Sequence, residues 1–185
     1  MTQIKQLTAR GFKSFATKTD LVFEDGFNCI IGPNGSGKSN ICDAMTFVLG
    51  KTSAKSMRAE KSANLIYNGG KKGKPLKDAE VSIVFSNDNE EFPFEDKEVV
   101  VSRIVKQKGA SVYKLNGQTK TRQEIMDVLG NARVDPDGHN VILQGDIVHF
   151  MEMKPDARRE VVEEIAGISI YDDKKEKALR ELEKV

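Results

Sequence analysis

The amino-acid sequence predicts an α/β protein that contains an antiparallel β subdomain and ends in the start of a coiled-coil helix. Three observations support this fold class. A strand, a glycine-rich turn and a helical pattern follow one another within residues 1–50, further strand patterns occupy residues 81–115, and the tail after Pro155 has helical periodicity. The 185 residues suffice for one domain with a sizeable core, and 38% hydrophobic residues exclude intrinsic disorder.

The first 50 residues are predicted to form strands that lead into a helix. Residues 4–12 and 21–23 are short apolar-rich runs, and residues 27–31 form a nearly continuous apolar run that is typical of a buried strand. A glycine-rich turn follows this run. Apolar residues then recur at helical spacing from Ile41 to Leu49, and Gly50 is a typical helix stop.

The middle of the chain changes from a loop pattern to strand patterns. Residues 51–77 are predicted to be an exposed, mobile excursion, because glycine, lysine and proline dominate the end of this segment. Strands are predicted at residues 81–85, 99–105 and 112–115, and an Asn116-Gly117 turn ends the last of them.

A capping-box pattern predicts a short helix after these strands. Thr121 is followed three residues later by Glu124 and then by apolar residues, and Gly130 is expected to end the helix. Residues 141–143 are apolar and predict one more strand, which leads directly into Gln144.

The segment after Pro155 is predicted to be a helix that runs to the end of the chain, because proline is favoured in the first helical turn. Its seam positions follow the alternating four-three spacing of a coiled coil with two polar interruptions: Val161, Ile165, Ile168, Asp172, Lys175, Leu179 and Leu182. A single amphipathic helix on the domain surface is the alternative. We predict a domain at residues 1–153 and the beginning of a stalk at residues 154–185, continuing beyond Val185 in the natural chain.

Composition and charge limit the classes of function. No apolar run approaches the roughly 18 residues of a membrane span, and the N-terminus lacks a signal peptide, so a cytoplasmic protein is predicted. Cys29 and Cys42 have apolar neighbours and are expected to be inert, reduced core thiols. The net charge is +1, yet residues 51–77 hold eight bases and one acid, and residues 78–98 hold eight acids and one base. The balanced total therefore does not argue against a polyanionic partner.

One motif carries chemistry. The residues after the 27–31 run match the phosphate-binding pattern G-x-x-x-x-G-K-[ST] in full: Gly32, Pro33, Asn34, Gly35, Ser36, Gly37, Lys38 and Ser39. Glycines let successive N–H groups point at phosphate oxygens, and the following helix adds its positive N-terminal end. Lys38 is expected to reach the β- and γ-phosphates, and the Ser39 hydroxyl is expected to bind Mg²⁺.

The other residues that nucleotide hydrolysis requires are incomplete. Hydrolysis needs a second acid that holds Mg²⁺ at the end of a buried strand. Asp88 comes three residues after the 81–85 strand, and Asp146 follows Gln144 in a different arrangement. Gln144 is by itself an ordinary loop residue, but beside a phosphate-binding loop its amide oxygen can serve Mg²⁺ or the attacking water. The sequence therefore predicts half of an active site.

Several segments together resemble the N-terminal head of SMC proteins, in particular the chromosome-condensation ATPases of bacteria and archaea. They are the phosphate-binding loop with Asn40, and residues 12–15, 50–58, 143–147, 158–160 and 163–168. The resemblance implies the N-terminal lobe of a P-loop NTPase of ABC-ATPase type, associated with the nucleoid and acting in chromosome condensation, DNA organisation and partition. In this family a C-terminal half-head, beyond a long coiled coil and hinge, supplies the signature motif, the Mg²⁺-binding aspartate and the catalytic glutamate. Asn68-Gly69-Gly70 is a poor match to a signature motif.

The resemblance also implies residue roles and partners. Gly32 to Ser39 and Asn40 would hold ATP, with Asn34 near the γ-phosphate, Lys38 and Gln144 acting in catalysis, Ser39 and Gln144 binding Mg²⁺, Lys13 and Ser14 near the base and sugar, and Arg58 linking the nucleotide site to DNA. The implied partners are the C-terminal half-head, a second head that shares two sandwiched ATP molecules, a kleisin subunit and DNA without sequence specificity, but no membrane. The candidate DNA contacts are Arg58, Lys61, Lys71, Lys72 and Lys74, and a solvated basic loop is the alternative.

Three other functions fit parts of the same pattern. Another coiled-coil ABC ATPase, of a double-strand-break-repair or RecN-like type, would have a similar tail. A P-loop kinase would transfer phosphate to a small acceptor and would be complete in one chain. A scaffold would use residues 155–185 to dock a partner, with ATP only ordering the fold. His139 and His149 are expected to be surface or satisfied polar residues, since no metal-ligand cluster surrounds them.

Overall fold

A computed structural model describes residues 2–70, 73–134, 141–143 and 146–165, with the backbone alone at 149, 160 and 163–165. The chain divides into two compact units, Met1–Pro136 and Asp137–Val185. In the described part of the chain, no helix has both the length and the apolar character that crossing a membrane requires.

The first unit is built on a six-stranded antiparallel sheet with the strand order β2-β1-β3-β4-β5-β6. The strands are β1 (Ile4–Arg10), β2 (Thr19–Val22), β3 (Asp78–Ser86), β4 (Glu98–Lys106), β5 (Ser111–Leu115) and β6 (Gln118–Lys120). β1 inserts between β2 and β3, so the sheet joins the start of the chain to its middle. Leu7 lies opposite Ile83, and Ser82 lies opposite Ser102.

The core lies on one face of this sheet. Side chains alternate along β3 and β4, so that Val81, Ile83 and Val101 are fully buried while the intervening residues face the other side. Helix α1 (Lys38–Val48) packs on β3 and β4. It buries the Phe47 ring, whose centroid lies 5.1 Å from that of Phe12. The sheet and α1 therefore share one core.

Most of the strand and helix predictions for residues 1–130 are confirmed. The three strands predicted between residues 81 and 115 are present with longer bounds, and α1 follows the glycine-rich turn. Thr121 caps α2 (Arg122–Asn131) with a complete capping box. β6 was not predicted, because three polar residues after the Asn116-Gly117 turn carry no strand pattern.

The prediction of a buried strand at residues 27–31 is wrong for this structure. These residues have no strand assignment, and the exposed fraction is 94% for Phe27 and 85% for Ile31. Their apolar pattern is that of a buried strand, but none of the described strands pairs with them. Cys29 and Cys42 are likewise exposed, contrary to the expectation of core thiols.

The described residues of the 51–77 segment, 51–70 and 73–77, are more ordered than predicted. Two short 3₁₀ helices, Lys55–Met57 and Ser62–Leu65, cross this segment. Met57, Leu65 and Ile66 are buried, and the Tyr67 N–H donates to the Gly11 carbonyl oxygen at 2.8 Å. The scattered apolar residues of this segment thus anchor it to the turn after β1.

The second unit contains two described helices, α3 (Asp146–Glu152) and α4 (Pro155–Ile165). The Asp146 carboxylate accepts a hydrogen bond from the Leu143 N–H at 2.6 Å. Residues 141–143 do not form the predicted strand, whereas α4 starts at Pro155, as predicted. Gln144, His139 and the seam positions from Ile168 onward lie outside the described residues.

Candidate nucleotide-binding site

The phosphate-binding loop ends at a helix N-terminus that no side chain caps. Gly37 is the N-cap residue of α1, its φ is 96°, and no side-chain hydrogen bond caps the helix. The first N–H groups of an α-helix lack partners within the helix, and the helix dipole makes this end positive. The N–H groups of Lys38 and Ser39 can therefore donate to an anion, whereas that of Asn40 donates to the Gly37 carbonyl oxygen at 2.9 Å.

The Lys38 side chain lies across the loop. Its Nζ donates to the carbonyl oxygens of Gly32 at 2.7 Å and Pro33 at 2.9 Å. The Ser36 N–H closes the turn by donating to the Pro33 carbonyl oxygen at 3.2 Å. These hydrogen bonds hold the ammonium group against the first two residues of the loop.

The loop is a close-fitting cradle. A Cβ atom added to Gly32 would lie 2.9 Å from Ser36 Oγ, and one added to Gly37 would lie 3.1 Å from Ser14 Oγ. Backbone N–H groups, an ammonium and the exposed Ser39 hydroxyl are the donors that a phosphate chain requires, and the hydroxyl can also bind Mg²⁺. The residues present therefore fit a nucleoside triphosphate with bound Mg²⁺.

The structure brings four further predicted residues together beside the first turns of α1. Asn40 Nδ2 donates to Ser14 Oγ at 2.8 Å, and Arg58 Nη2 lies 3.4 Å from Asn40 Oδ1. Lys13 belongs to the same cluster, because it and Arg58 both bond to Asp43 on α1. Segments 26 and 45 residues apart in sequence thus meet at one end of one helix.

Asp43 is the one member of this cluster that the sequence analysis did not name. Its exposed fraction is 4%, and its Oδ2 accepts hydrogen bonds from Lys13 Nζ and Arg58 Nη2. Lys13 Nζ also donates to the Met57 carbonyl oxygen at 2.5 Å. A signal was available, because position 43 lies one turn before Phe47, on the buried face of the helix, which is otherwise apolar except for Thr46.

The other end of α1 is held by two arginines. Arg103 Nη1 donates to the carbonyl oxygens of Phe47 at 2.8 Å and Lys51 at 2.7 Å, and Arg122 Nε donates to that of Gly50 at 2.9 Å. The buried Arg103 guanidinium also lies over the Phe47 ring, 4.2 Å from its centroid. Burial lowers the pKa of Arg103. Cations at a helix C-terminus are favourable, so these contacts fix the helix that carries the loop.

The remaining candidates are not brought to the loop by any described contact. Lys61 and Lys74 are exposed, whereas Lys71, Lys72 and Gln144 lie outside the described residues. The Asp88 carboxylate accepts from the Ser86 hydroxyl and lies 3.7 Å from Lys5 Nζ, and these two contacts lower its pKa. Within the described residues, no group of three or more His, Cys, Asp or Glu side chains could hold a metal ion.

Comparison with known proteins agrees with this geometry. The sequence model of the RecF/RecN/SMC N terminal domain matches residues 3–139. The chain is 50% identical to the chromosome partition protein Smc of Pyrococcus furiosus and 45% identical to that of Aquifex aeolicus, in each case over 98% of this chain. It spans 16% of the length of each of these relatives.

Solved structures extend the similarity to three dimensions. An SMC ATPase, from work on ATP-driven dimerization and DNA-stimulated activation, shares 48% identity with a TM-score of 0.83, covering 88% of this chain and 98% of that chain. The Smc head domain of Pyrococcus furiosus with an extended coiled coil, bound to the C-terminal domain of ScpA, shares 50% identity with a TM-score of 0.89, covering 100% of this chain and 46% of that one. The chain therefore belongs to the RecF/RecN/SMC N-terminal domain family and corresponds to the N-terminal part of an SMC head.

Proposed function

We propose that this chain is the ATP-binding half of an SMC head, whose ATP-driven engagement with a second head and subsequent hydrolysis power chromosome condensation and partition. The observation that carries the proposal is the N-terminus of α1, which no side chain caps and which directly follows a loop that holds the Lys38 ammonium. Residues 1–153 would be the half-head and residues 154–185 the start of its stalk.

Each site residue has a defined role in this proposal. The loop N–H groups and Lys38 neutralise the triphosphate, and Asn34 approaches its γ-phosphate. Ser39 and Gln144 would hold Mg²⁺, whose charge would offset the negative charge of the phosphates during hydrolysis when the metal is bound. Lys13, Ser14, Asn40 and Arg58 line the site beside the start of α1, which suits contacts with the sugar and the phosphates.

The exposed 27–31 segment supports a split head. Large apolar side chains such as Phe27 and Ile31 stay in water only at a cost, and a run of them marks an interaction surface. The proposed occupant is the C-terminal half-head, which would also supply the missing acids. Alone, the chain is therefore expected to bind ATP and to hydrolyse almost none.

Partners follow from the relatives. One relative is described by its ATP-driven dimerization and another is bound to the C-terminal domain of ScpA, a kleisin-type partner. For this chain we propose a second head, a kleisin subunit and DNA. Exposed Lys61 and Lys74, with Lys71 and Lys72, offer phosphate contacts without sequence readout. A DNA affinity whose salt dependence is unchanged after these lysines are neutralised would contradict the DNA contact.

The decisive experiment measures the affinity of the purified chain for Mg-ATP by calorimetry. Lys38→Ala is expected to weaken binding roughly 10- to 100-fold, since it removes charge-assisted hydrogen bonds to phosphate. Lys18→Ala, at an exposed lysine paired with Asp20, is the matched control and should bind like the unmodified chain. Equal affinity in Lys38→Ala and Lys18→Ala would refute the site.

A turnover assay on the same samples tests the division of the active site. We expect almost no phosphate release by the chain alone and measurable release once the C-terminal half-head is added. Substantial hydrolysis by the chain alone would contradict a split site, and phosphate transfer to a small acceptor would favour a kinase instead.

A further inference from the structure

Asp43 is a buried acid at a place where the fold alone does not require one. It lies on α1 with an exposed fraction of 4%, among the buried residues Ala44 and Phe47. Burying a carboxylate is costly even when it is paired, and apolar residues of similar volume often stabilise a core as well or better. Its presence therefore needs a reason other than packing.

The two cations that bond to Asp43 differ in how many of their hydrogen-bond donors are used. Lys13 has a side-chain exposed fraction of 12%, and Asp43 and the Met57 carbonyl oxygen occupy its ammonium. Arg58 has a side-chain exposed fraction of 49% and bonds to Asp43 and Asn40 through Nη2 alone. A guanidinium has five N–H donors, so the Nη1 and Nε side of Arg58 keeps donors for another acceptor.

The position of the guanidinium indicates what that acceptor is. Asn40 lies in the first turn of α1, and Arg58 Nη2 is 3.4 Å from its Oδ1. The N–H groups of Lys38 and Ser39 precede Asn40 in this turn, at the positive end of a helix that no side chain caps. Two cations and one carboxylate leave the cluster with a surplus positive charge beside this turn, which suits a phosphate group.

The backbone conformations of Lys13 and Arg58 also favour a binding role for their side chains. Lys13 and Arg58 both adopt left-handed conformations, with φ of 47° and 54°. Non-glycine residues are uncommon there, and such conformations concentrate at binding sites where the surroundings hold them. Glycine at either position would relieve the strain but would remove the cation.

We propose that Asp43 is a positioning residue: anchored by Lys13, it orients the Arg58 guanidinium so that the open side of this group binds a phosphate of the nucleotide. This inference rests on the proposed function. It predicts that Asp43 acts on nucleotide affinity only through Arg58.

The test is a double-variant cycle with the Mg-ATP affinity of the chain as readout. Asp43→Asn and Arg58→Ala are each expected to lower affinity about 10-fold, and the double variant should bind no more weakly than Arg58→Ala alone. Asp127→Asn, at an exposed aspartate on α2, is the matched control and should bind like the unmodified chain. The inference would be overturned if the fold losses in affinity of the two single variants multiply in the double variant, or if Asp43→Asn leaves the affinity unchanged.

Arg58→Lys keeps the test decisive if Asp43→Asn does not fold. This variant keeps the charge but loses the planar fork that can bond to Asp43 and to a phosphate together. We expect its affinity to match that of Arg58→Ala, and an affinity equal to that of the unmodified chain would overturn the proposal. Lys38→Ala separates the two failures. If Lys38→Ala leaves the affinity for Mg-ATP unchanged, the proposed function itself is contradicted. If Lys38→Ala weakens binding but Asp43→Asn and Arg58→Lys do not, only this inference is contradicted.

Discussion

Helices α1 and α2 begin in opposite ways. Thr121 caps α2: its hydroxyl accepts from the Glu124 N–H at 3.2 Å, and the Glu124 carboxylate accepts from the Thr121 N–H at 2.7 Å. At α1 the N-cap is Gly37 in a left-handed conformation, and no side-chain hydrogen bond caps the helix. Helix α2 therefore uses N-terminal N–H donors for its own stability, whereas α1 leaves donors available for a ligand.

The C-termini show how α1 compensates. Arg103 and Arg122 donate to the carbonyl oxygens of Phe47, Gly50 and Lys51 at the end of α1 and just after it. Arg122 is itself the first residue of α2, so the capped helix helps to hold the uncapped one. The stability that α1 lacks at its ligand-binding end is thus supplied at its opposite end.

Arg103 gives the largest expected effect. Arg103→Met approximates the length of the side chain but leaves one buried and one partly buried carbonyl oxygen without their charged donor, so we expect a loss of about 2–4 kcal/mol in the free energy of unfolding. Urea denaturation measures this loss. Arg10→Met is the control, because Arg10 makes only surface ion pairs with Asp78 and Glu80 and should cost about 0–1 kcal/mol. Similar losses in both variants would remove the special role of Arg103.

Two glycine substitutions should change stability in opposite directions. Gly37→Ala is expected to cost about 1–2 kcal/mol, since φ is 96° there, and to weaken ATP binding as well. Gly130→Ala, inside α2 with no atom within 4 Å of an added Cβ, is expected to gain about 0.5–1 kcal/mol. Thermal unfolding with and without Mg-ATP measures both. Stabilisation by Gly37→Ala would contradict the strained N-cap.

The capping box of α2 predicts a small dependence on pH. The backbone N–H and then the hydroxyl of Thr121, followed by Lys120, lower the pKa of Glu124 from 4.5 to about 2. A carboxyl group with a lowered folded-state pKa stabilises the fold above its ordinary pKa, and this stabilisation is lost as the pH falls from about 4.5 towards 2. Glu124→Gln should flatten that part of the stability profile. If Glu124→Gln loses stability at acid pH as the unmodified chain does, the capping box contributes nothing to this pH dependence.

The parts of the fold that depend on local pattern could be predicted from the sequence. Alternating apolar residues indicated β3 and β4, and the spacing of Thr121 and Glu124 indicated the start of α2. The outcome for residues 27–31 could not be predicted from local pattern. An apolar run indicates that a segment tends to be buried, but it does not show whether another segment is present to cover it. The order of 51–77 was missed for a related reason, since isolated Met57 and Leu65 make no periodic pattern.

The phosphate-binding loop could be identified from the sequence alone, because its glycines, lysine and serine lie in one contiguous stretch of backbone. It also pointed to Lys13, Ser14, Asn40 and Arg58, although only through resemblance to a family. Tertiary structure decided that these side chains meet around Asp43, and that Arg103 and Arg122 hold the far end of α1. The physical reason is that such contacts join segments far apart in the chain, and only packing of the sheet against α1 brings those segments within hydrogen-bonding distance.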